Sequence, residues 1–156
     1  METCFIKSPL GIAKIVGDDN GISIISILQE GEISSIIPNE LKEATTQLQE
    51  YFEGKRTDFS FNLNPKGTDF QKKVWQELRN IPFGKTMSYL DLSKKLGDVK
   101  AIRAVASANG KNPLWIVVPC HRVIGTDGSL TGYAGGLWRK KWLLEHENPT
   151  NQQLLF

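Results

Sequence analysis

A short apolar segment that ends in proline, cysteine and histidine constrains this chain more than any other feature. Leu114–Val118 is apolar throughout and lacks a helical period, which predicts a buried strand. Pro119 ends that strand, because proline donates no hydrogen bond to a neighbouring strand and fixes its own φ angle. The thiol of Cys120 and the imidazole of His121 are therefore expected where a core strand leaves its sheet.

Cys120 has two interpretations at this point. A single cysteine is more often a small buried apolar side chain than a catalyst. However, His121 and Arg122 follow directly, and neighbouring cations lower the pKa of a thiol and favour the reactive thiolate. The surrounding sequence has to decide between a packing role and a nucleophile.

Chain length and cysteine content limit the class of protein. The 156 residues suffice for one domain or two small ones. The only cysteines, Cys4 and Cys120, lack CxxC spacing, which favours reduced thiols in the cytoplasm over a disulfide framework. With only two histidines, a Cys/His zinc site is not expected. No apolar run approaches the roughly 20 residues of a membrane span, and no signal-peptide pattern is found, so no membrane association is expected.

Charge is distributed unevenly along the chain. Residues 1–65 hold 5 Lys or Arg against 10 Asp or Glu, a net charge of −5. Residues 66–156 hold 14 against 7, a net charge of +7, and the two halves give the overall +2. A basic half that carries the candidate nucleophile favours a polyanionic partner such as DNA or RNA. The alternative is an ordinary solvated basic surface.

The acidic half is typical of a small α/β domain. Runs rich in isoleucine and valine predict short strands, and Asp18-Asp19-Asn20-Gly21 is typical of a hairpin turn between two of them. Asn64-Pro65-Lys66-Gly67 marks the expected domain boundary, so that residues 1–64 form the first domain and residues 65–156 the second. The predicted strands cover residues 3–7, 11–17, 21–28 and 59–63, and the predicted helix covers residues 38–52.

The basic half is predicted to be mainly helical. Thr68 with Gln71 forms a capping-box pattern, and the apolar stripe of Phe70, Val74, Leu78 and Ile81 follows it. Ser88 with Asp91 and then Asp98 predict two more helix starts, the second helix ending near Asn109. Two short helices around Gly97 favour a helix-turn-helix, although an ordinary helical hairpin has the same pattern. A last helix is predicted over residues 137–147.

The second of these helices has an unusual outer face. It combines positive charge with very small side chains, whereas a helix that reads bases in the major groove carries long polar ones. Small side chains allow close approach to the minor groove, and Arg103 is the one long side chain available for insertion into the duplex. This argues against a sequence-specific regulator. The candidate DNA-contacting residues are Lys100, Arg103, Ala104, Ser107 and Lys111.

Taken together, these motifs resemble the O6-alkylguanine-DNA alkyltransferase family, also called methylated-DNA–protein-cysteine methyltransferases. The resemblance implies a small N-terminal α/β domain with a ribonuclease H-like antiparallel sheet, joined to a mainly helical C-terminal winged helix-turn-helix domain. The order and spacing of the motifs fit over residues 66–148. The matching segments are Pro82-Phe83-Gly84, Ser88-Tyr89, Arg103-Ala104-Val105, Asn112-Pro113, Pro119-Cys120-His121-Arg122-Val123, Tyr133-Ala134-Gly135-Gly136-Leu137, Trp142-Leu143-Leu144 and His146-Glu147.

The family resemblance also implies a particular reaction. Members of the family bind double-stranded DNA as monomers, flip O6-alkylguanine out of the duplex and take the alkyl group onto a cysteine. The transfer is irreversible, so each molecule acts once, and no cofactor or metal takes part. O4-alkylthymine is a second candidate substrate. The rival classes are an alkyltransferase-like DNA sensor, which lacks the cysteine, and a Cys-His hydrolase, which turns over.

Site residues follow from the resemblance position by position. Cys120 is the expected alkyl acceptor, His121 the base that draws its proton, and Glu147 the residue that orients His121. Tyr89 is expected to protonate the departing guanine at N3, and Arg103 to fill the gap left by the flipped base. The remaining expectations are base contacts at Val123, Tyr133 and Ala134, where some members have serine in place of Ala134, and a structural role for Asn112.

The last residues suggest a separate contact. Gln152-Gln153-Leu154-Leu155-Phe156 resembles the bacterial sliding-clamp-binding pentapeptide, in which Gln152, Leu155 and Phe156 would contact the clamp. Gln153 stands where that motif usually has an apolar residue. The alternative is a disordered or self-packed tail.

Overall fold

The structure is a computed structural model that describes residues 1–149. The chain forms two compact units, one from Met1 to Lys66 and one from Gly67 onward, whereas the expected boundary lay two residues earlier. None of the helices in residues 1–149 combines the length and apolar character needed to cross a membrane. The residues of the clamp-binding prediction, Gln152, Leu155 and Phe156, lie outside the described part of the chain.

The first unit is built on a three-stranded antiparallel meander. Its strands are β1 (Glu2–Ser8), β2 (Gly11–Asp18) and β3 (Gly21–Leu28), which pair in the order β1-β2-β3. A 3₁₀ turn at Asn39–Leu41 leads into helix α1 (Lys42–Phe52). The predicted strands and helix agree with these elements to within a few residues, apart from the fourth strand.

No fourth strand forms at residues 59–63. Leu63 makes only an isolated parallel bridge with Ile22. The side chain of Gln47 on α1 accepts a hydrogen bond from the Ser60 backbone amide and donates to the Ser60 hydroxyl. A helix side chain therefore takes up polar groups that a strand partner would otherwise bind, and the prediction of a strand here is wrong.

The core of the first unit lies between one face of the sheet and α1. Alternate strand residues are buried, as the two-residue period of a strand requires. On α1, Tyr51 is fully buried whereas Phe52 is only half-buried, so the apolar stripe ends on Tyr51 and not on Phe52 as the sequence pattern predicts. The other buried residues on this interface include Cys4, Ile6, Ala13, Ile15, Ile25, Leu41, Ala44 and Leu48.

The second unit contains four helices and one short parallel strand pair within the described residues. Its helices are α2 (Asp69–Leu78), α3 (Tyr89–Lys95), α4 (Ile102–Gly110) and α5 (Leu137–Glu147). Strands β4 (Met87–Ser88) and β5 (Val123–Ile124) pair in parallel, with Met87 opposite Val123. Because Tyr89 follows β4 and Cys120–Arg122 precedes β5, this pairing brings the start of α3 next to the Cys-His motif.

The predicted helix starts are confirmed. Thr68 accepts a hydrogen bond from the Gln71 amide, and the Gln71 side chain accepts one from the Thr68 amide, which completes the capping box. Ser88 caps α3, and Asp98 caps the 3₁₀ turn (Val99–Ala101) that leads into α4. Gly97 between these helices has φ +90°, a conformation that favours glycine.

The three helices α2, α3 and α4 share one apolar core. Val74, Leu78, Leu92 and Val105 are fully buried there. The indole of Trp75 is also buried and donates a hydrogen bond to the Ala108 carbonyl oxygen at 2.8 Å, which ties α2 to α4. Phe70, which the sequence pattern places in the same apolar stripe, is 40% exposed, so that part of the prediction is wrong.

Leu114–Val118 is buried apart from a partly exposed Trp115, but it does not form the predicted strand. The segment folds into tight turns, in which the Val117 amide donates to the Trp115 carbonyl and the Val118 amide to the Leu114 carbonyl. Ile116 has φ +74°, which is unusual for a β-branched residue and places strain next to the Cys-His motif. Cys120 consequently begins a 3₁₀ turn (Cys120–Arg122) and does not leave the end of a strand.

Candidate active site

A cavity of about 360 Å³ lies in the second unit, and Cys120 forms part of its wall. Cavities that bind small ligands commonly have a volume of about 300 to 1,000 Å³. The wall also includes Tyr89 on α3, Asn109 on α4, Asn112 and the loop at residues 131–134. The structure thus brings together around one cavity residues that lie up to 45 positions apart in the sequence.

The thiol of Cys120 is held in its protonated form. Burial raises its pKa to about 11, while a hydrogen bond with Asn112 and the positive charge of Lys140 oppose that rise. The sequence predicts the opposite direction, because it shows the adjacent basic residues but not the depth of burial. The free protein therefore carries a thiol at neutral pH, and any reaction at sulfur has to remove its proton.

Asn112 holds the turn that carries Cys120. Its side-chain amide donates to the carbonyl oxygens of Leu114 and Val118, at 3.3 and 2.8 Å, and its oxygen accepts from the Leu114 amide at 2.9 Å. The residue is 3% exposed. One buried side chain thus satisfies backbone groups on both ends of the strained segment before Pro119.

His121 and Glu147, which the family resemblance pairs as base and orienting residue, form a buried pair. The Nε2 atom of His121 donates to Oε2 of Glu147 at 2.8 Å, and neither side chain is more than 1% exposed. This contact fixes the imidazole tautomer, because the hydrogen on Nε2 leaves the lone pair on Nδ1. Within residues 1–149, Nδ1 is buried and has no hydrogen-bond partner.

Arg122 shares the same carboxylate. Its Nε and Nη2 atoms donate to the two oxygens of Glu147 at 2.7 and 2.9 Å, and Nη1 donates to the Ile81 carbonyl at 2.7 Å. The two parallel hydrogen bonds form the bidentate pair for which guanidinium geometry is suited. Sequence analysis noted Arg122 only as a neighbouring cation, since nothing in the sequence shows that it faces Glu147.

The ionisation of Glu147 reflects these two partners. Burial raises the pKa of its carboxyl group. The hydrogen bonds from His121 and Arg122, the charge of Arg122 and, whenever the imidazole is protonated, the charge of His121 outweigh burial and hold that pKa well below its ordinary range. Glu147 is therefore a carboxylate at every physiological pH. It links α5 to the 3₁₀ turn that contains Cys120.

Lys140 is a second buried cation, and sequence analysis missed it. Its ammonium group donates to the carbonyl oxygens of Val123 and Thr131, at 2.6 and 2.7 Å, and its side chain is fully buried. Burial lowers its pKa to about 8, while negative charge on Cys120 would raise it. Lys140 therefore joins the Cys120 turn to the cavity loop and adds positive charge near the sulfur.

Two tyrosines and a tryptophan shape the cavity. Burial raises the pKa of the Tyr89 hydroxyl, and hydrogen bonds with Thr131 and Asn109 oppose that rise. Trp115 and Tyr133 lie with ring centroids 5.8 Å apart, which gives Trp115 a place in the cavity wall that sequence analysis did not assign. A side chain on Gly135 would come within 2.8 Å of the Tyr133 ring and 3.0 Å of the Trp115 ring, so glycine is required there.

The residues that were expected to contact the base do not all reach the cavity. Tyr133 and Ala134 line the cavity, whereas Val123 and His121 are fully buried and do not. The carbonyl oxygen of Val123 already accepts a hydrogen bond from Lys140. Of the expected base-contacting segments, the loop at residues 131–134 and Cys120 thus reach the cavity wall, whereas Val123 and His121 do not.

The outer face of α4 is exposed, as its sequence pattern predicts. Val105, Ala108 and Asn109 on the opposite face are buried, and Ala106, Asn109 and Gly110 line the cavity. The same helix therefore presents one face to solvent and contributes another to the cavity. The exposed residues are Lys100, Arg103, Ala104, Ser107 and Lys111.

Comparison with known families gives two matches that together span almost the whole chain. Residues 69–149 match the family described as 6-O-methylguanine DNA methyltransferase, DNA binding domain. Residues 2–65 match the family described as 6-O-methylguanine DNA methyltransferase, ribonuclease-like domain.

Individual relatives agree with these matches. The methylated-DNA–protein-cysteine methyltransferase of Methanosarcina acetivorans is 42% identical over 153 residues, covering 94% of this chain and 98% of the relative. The crystal structure of Mycobacterium tuberculosis O6-methylguanine methyltransferase is 42% identical, covers 95% of this chain and 93% of its own, and has a TM-score of 0.85. A structure of Mycobacterium tuberculosis OGT in complex with DNA is 40% identical, covers 97% and 92%, and has a TM-score of 0.83.

The Glu147 network generates a prediction on stability. Glu147→Gln keeps the shape of the side chain but leaves Arg122 buried without an anion, and we expect it to lower the free energy of unfolding by about 3 kcal/mol. The matched control is Glu145→Gln, because the pair that Glu145 makes with Lys141 at 3.9 Å is partly exposed. Urea unfolding at pH 7 measures both variants, and equal losses would contradict the prediction.

The low pKa of Glu147 also predicts how the stability of the protein depends on pH. The folded-state pKa of Glu147 lies below its unfolded value, so its contribution is complete above the unfolded carboxyl pKa of about 4.3. As the pH falls from there toward the folded pKa, that contribution is lost. Urea unfolding below about pH 4 should therefore show a steeper acid loss for the wild type than for Glu147→Gln.

Proposed function

This chain belongs to the 6-O-methylguanine DNA methyltransferase family and repairs alkylated DNA by transferring the alkyl group to a cysteine of its own; we propose that this cysteine is Cys120. The main support is the position of Cys120 in the wall of a cavity that two tyrosines, Tyr89 and Tyr133, also line. The lesion we assign is O6-alkylguanine.

Cys4 is the other cysteine and makes a poor acceptor. It pairs with Ile15 in the middle of the β1-β2 ladder and is 0% exposed. Burial raises its pKa to about 11, and no charged side chain within residues 1–149 opposes the rise. Cys120 has a similarly raised pKa, but it has a hydrogen bond with Asn112, a nearby ammonium group and a cavity beside it.

Proton removal from Cys120 is assigned to His121. Glu147 keeps the hydrogen of the imidazole on Nε2, so Nδ1 has a lone pair and no protein partner within the described residues. We assign the thiol proton to Nδ1, through a water molecule. The carboxylate then stabilises the imidazolium that forms, in the same way as the third member of a nucleophile–base–orienter arrangement.

Alkyl transfer is a single displacement at carbon. The sulfur electron pair forms the S–C bond as the C–O6 bond breaks, and the bonding pair remains on the guanine. Tyr89 donates its hydroxyl proton to N3 of the departing base, and the proton that His121 took from the thiol then passes through water to the tyrosinate, so that both side chains are neutral again. The products are guanine and a thioether, which has no acidic S–H left, so the protein acts once.

Access to the lesion requires the base to leave the duplex. The alkyl group of a stacked base cannot reach the sulfur of Cys120, because this residue lies in the wall of a cavity and is only 4% exposed. Helix α4 supports a minor-groove approach, because its exposed face carries small and basic side chains while its other face lines the cavity. Arg103 is exposed on that face and is assigned to fill the gap in the duplex.

Cys120→Ala is expected to abolish transfer while the protein still binds DNA, because the substitution removes the acceptor and leaves the exposed face of α4 unchanged. Loss of the O6-methyl group from a duplex oligonucleotide measures transfer, and a gel-shift assay measures binding. Cys4→Ala is the matched control and should retain one equivalent of transfer. If transfer survived in Cys120→Ala and disappeared in Cys4→Ala, the acceptor would be Cys4 and the assignment to Cys120 would be wrong.

His121→Ala should slow transfer by roughly 100-fold at neutral pH, because the thiol with its pKa of about 11 loses its base. The deficit should shrink as the pH rises, since hydroxide then forms the thiolate directly. Single-turnover rates across the pH range test this, with His146→Ala as the control on the only other histidine. A deficit that is constant with pH would exclude His121 as the base.

Arg103→Ala should slow repair of duplex DNA about tenfold, because an unfilled gap costs on the order of 1–2 kcal/mol in stacking. Its rate with free O6-alkylguanine base should stay normal, because a free base needs no extrusion. Lys72→Ala on the exposed face of α2 removes the same charge elsewhere and serves as the control. Equal slowing on duplex and free base would show that Arg103 affects the cavity instead.

A further inference from the structure

We propose that Arg122 keeps the imidazole of His121 uncharged in the resting protein, so that this base takes its proton from Cys120 and not from solvent. Arg122 is then a positioning residue that acts through Glu147 and does not touch the alkylated base. The inference rests on the proposed function, because it concerns the base that is assigned to the thiol.

Arg122 is held in place by contacts that do not depend on His121. Its Nε and Nη2 atoms donate to the two oxygens of Glu147, and its Nη1 atom donates to the Ile81 carbonyl oxygen at 2.7 Å. Its guanidinium carbon lies 5.8 Å from the centre of the Phe83 ring. A guanidinium group stays charged at every physiological pH. A permanent positive charge is therefore fixed against the carboxylate that orients the imidazole.

The buried carboxylate of Glu147 has two basic partners but only one negative charge. Its side chain is 1% exposed, and that of His121 is fully buried. With Arg122 and Glu147 ionised and the imidazole neutral, the three groups together carry no net charge. A proton taken from solvent by Nδ1 would add a second cation beside one anion, and an uncompensated charge in the interior is costly. Arg122 therefore opposes protonation of His121 from solvent.

The other ionisable groups near Cys120 are neutral or positive in the resting protein. Burial raises the pKa of both Tyr89 and Tyr133, so their hydroxyl groups keep their protons. Lys140 is a cation that acts on Cys120, and Arg139 is a cation that acts on Tyr133. The pKa of Cys120, about 11, keeps the sulfur protonated. Around this turn, a further negative charge thus forms when Cys120 loses its proton.

Transfer of the thiol proton keeps the charge of the site in balance. When the proton passes from Sγ of Cys120 through water to Nδ1 of His121, one anion and one cation form together, and the net charge does not change. Lys140 then acts on a thiolate, and Glu147 stabilises an imidazolium. The charge of Arg122 thus disfavours the solvent proton without disfavouring transfer from the thiol.

Arg122→Gln tests this role, because it removes the charge and keeps a hydrogen-bond donor for Glu147. Single-turnover transfer from duplex O6-methylguanine is measured across the pH range. On the acid side of the profile, we expect the pH of half-maximal rate to rise by about 1 to 3 units, the shift that one neighbouring charge causes. Arg122→Lys keeps the charge and should keep the wild-type half-maximal pH, even with a lower maximal rate. Arg79→Gln removes the same charge from an exposed position at the end of α2 and controls for DNA binding.

Nitrogen NMR of the histidine rings gives a second measurement that does not require transfer. In the wild type without DNA at pH 7, His121 should be the neutral tautomer with its hydrogen on Nε2. In Arg122→Gln it should be an imidazolium. The chain has two histidines, so the spectrum of His146→Ala identifies the His121 signals. Arg122→Met repeats both measurements if Arg122→Gln does not fold.

Three results would overturn the role of Arg122 and leave the proposed function intact. The first is an imidazolium at His121 in the resting wild type at pH 7. The second is a neutral His121 with an unchanged half-maximal pH in the uncharged variant. The third is an equal shift in Arg122→Gln and Arg122→Lys, which would make the role structural. Absence of transfer from O6-methylguanine in the wild type would instead overturn the proposed function, while the NMR spectra still report the effect of Arg122 on His121.

Discussion

The carboxylate of Glu147 is the interaction on which the rest of the site depends. It is buried, yet it remains ionised because Arg122 binds both of its oxygens and His121 donates to one of them. These contacts join the last described helix to the turn that carries Cys120. Without the carboxylate, a guanidinium and an imidazole would be left in the interior with no partner, at a cost of several kcal/mol. The carboxylate of Glu147 thus both orients His121, the proposed general base, and stabilises the fold.

Burial of the sulfur creates the chemical problem that this network solves. An exposed thiolate reacts with many electrophiles, whereas Cys120 is held as a thiol with a pKa of about 11. Reactivity then requires a base, a nearby cation such as Lys140, and a substrate that fills the cavity. Helix α4 connects these requirements to DNA, because its exposed face is basic while its inner face lines the cavity. On the proposed function, a reactive sulfur is produced mainly when an alkylated base is in place.

Local signals in the sequence predict much of this arrangement, and long-range packing explains where they fail. The caps at Thr68 and Ser88 depend on residues three positions apart, and the structure confirms both. Leu114–Val118 is largely buried, as predicted, but it forms turns and not a strand, because the side chain of Asn112 binds its backbone groups. The sequence does not identify Lys140 as a site residue, because a lysine in a helix is usually solvated. The carbonyl groups that bind Lys140 also come from other segments of the chain, at Val123 and Thr131.

Acceptance of the alkyl group by Cys120 is tested most directly by intact-mass spectrometry followed by peptide mapping. The protein is incubated with an excess of duplex DNA that contains O6-methylguanine. One methyl group per chain, located on the peptide that contains Cys120, is the expected result, with no further increase on longer incubation. An unmodified Cys120 peptide after the DNA has lost its methyl groups, or more than one equivalent of repair per protein molecule, would contradict it.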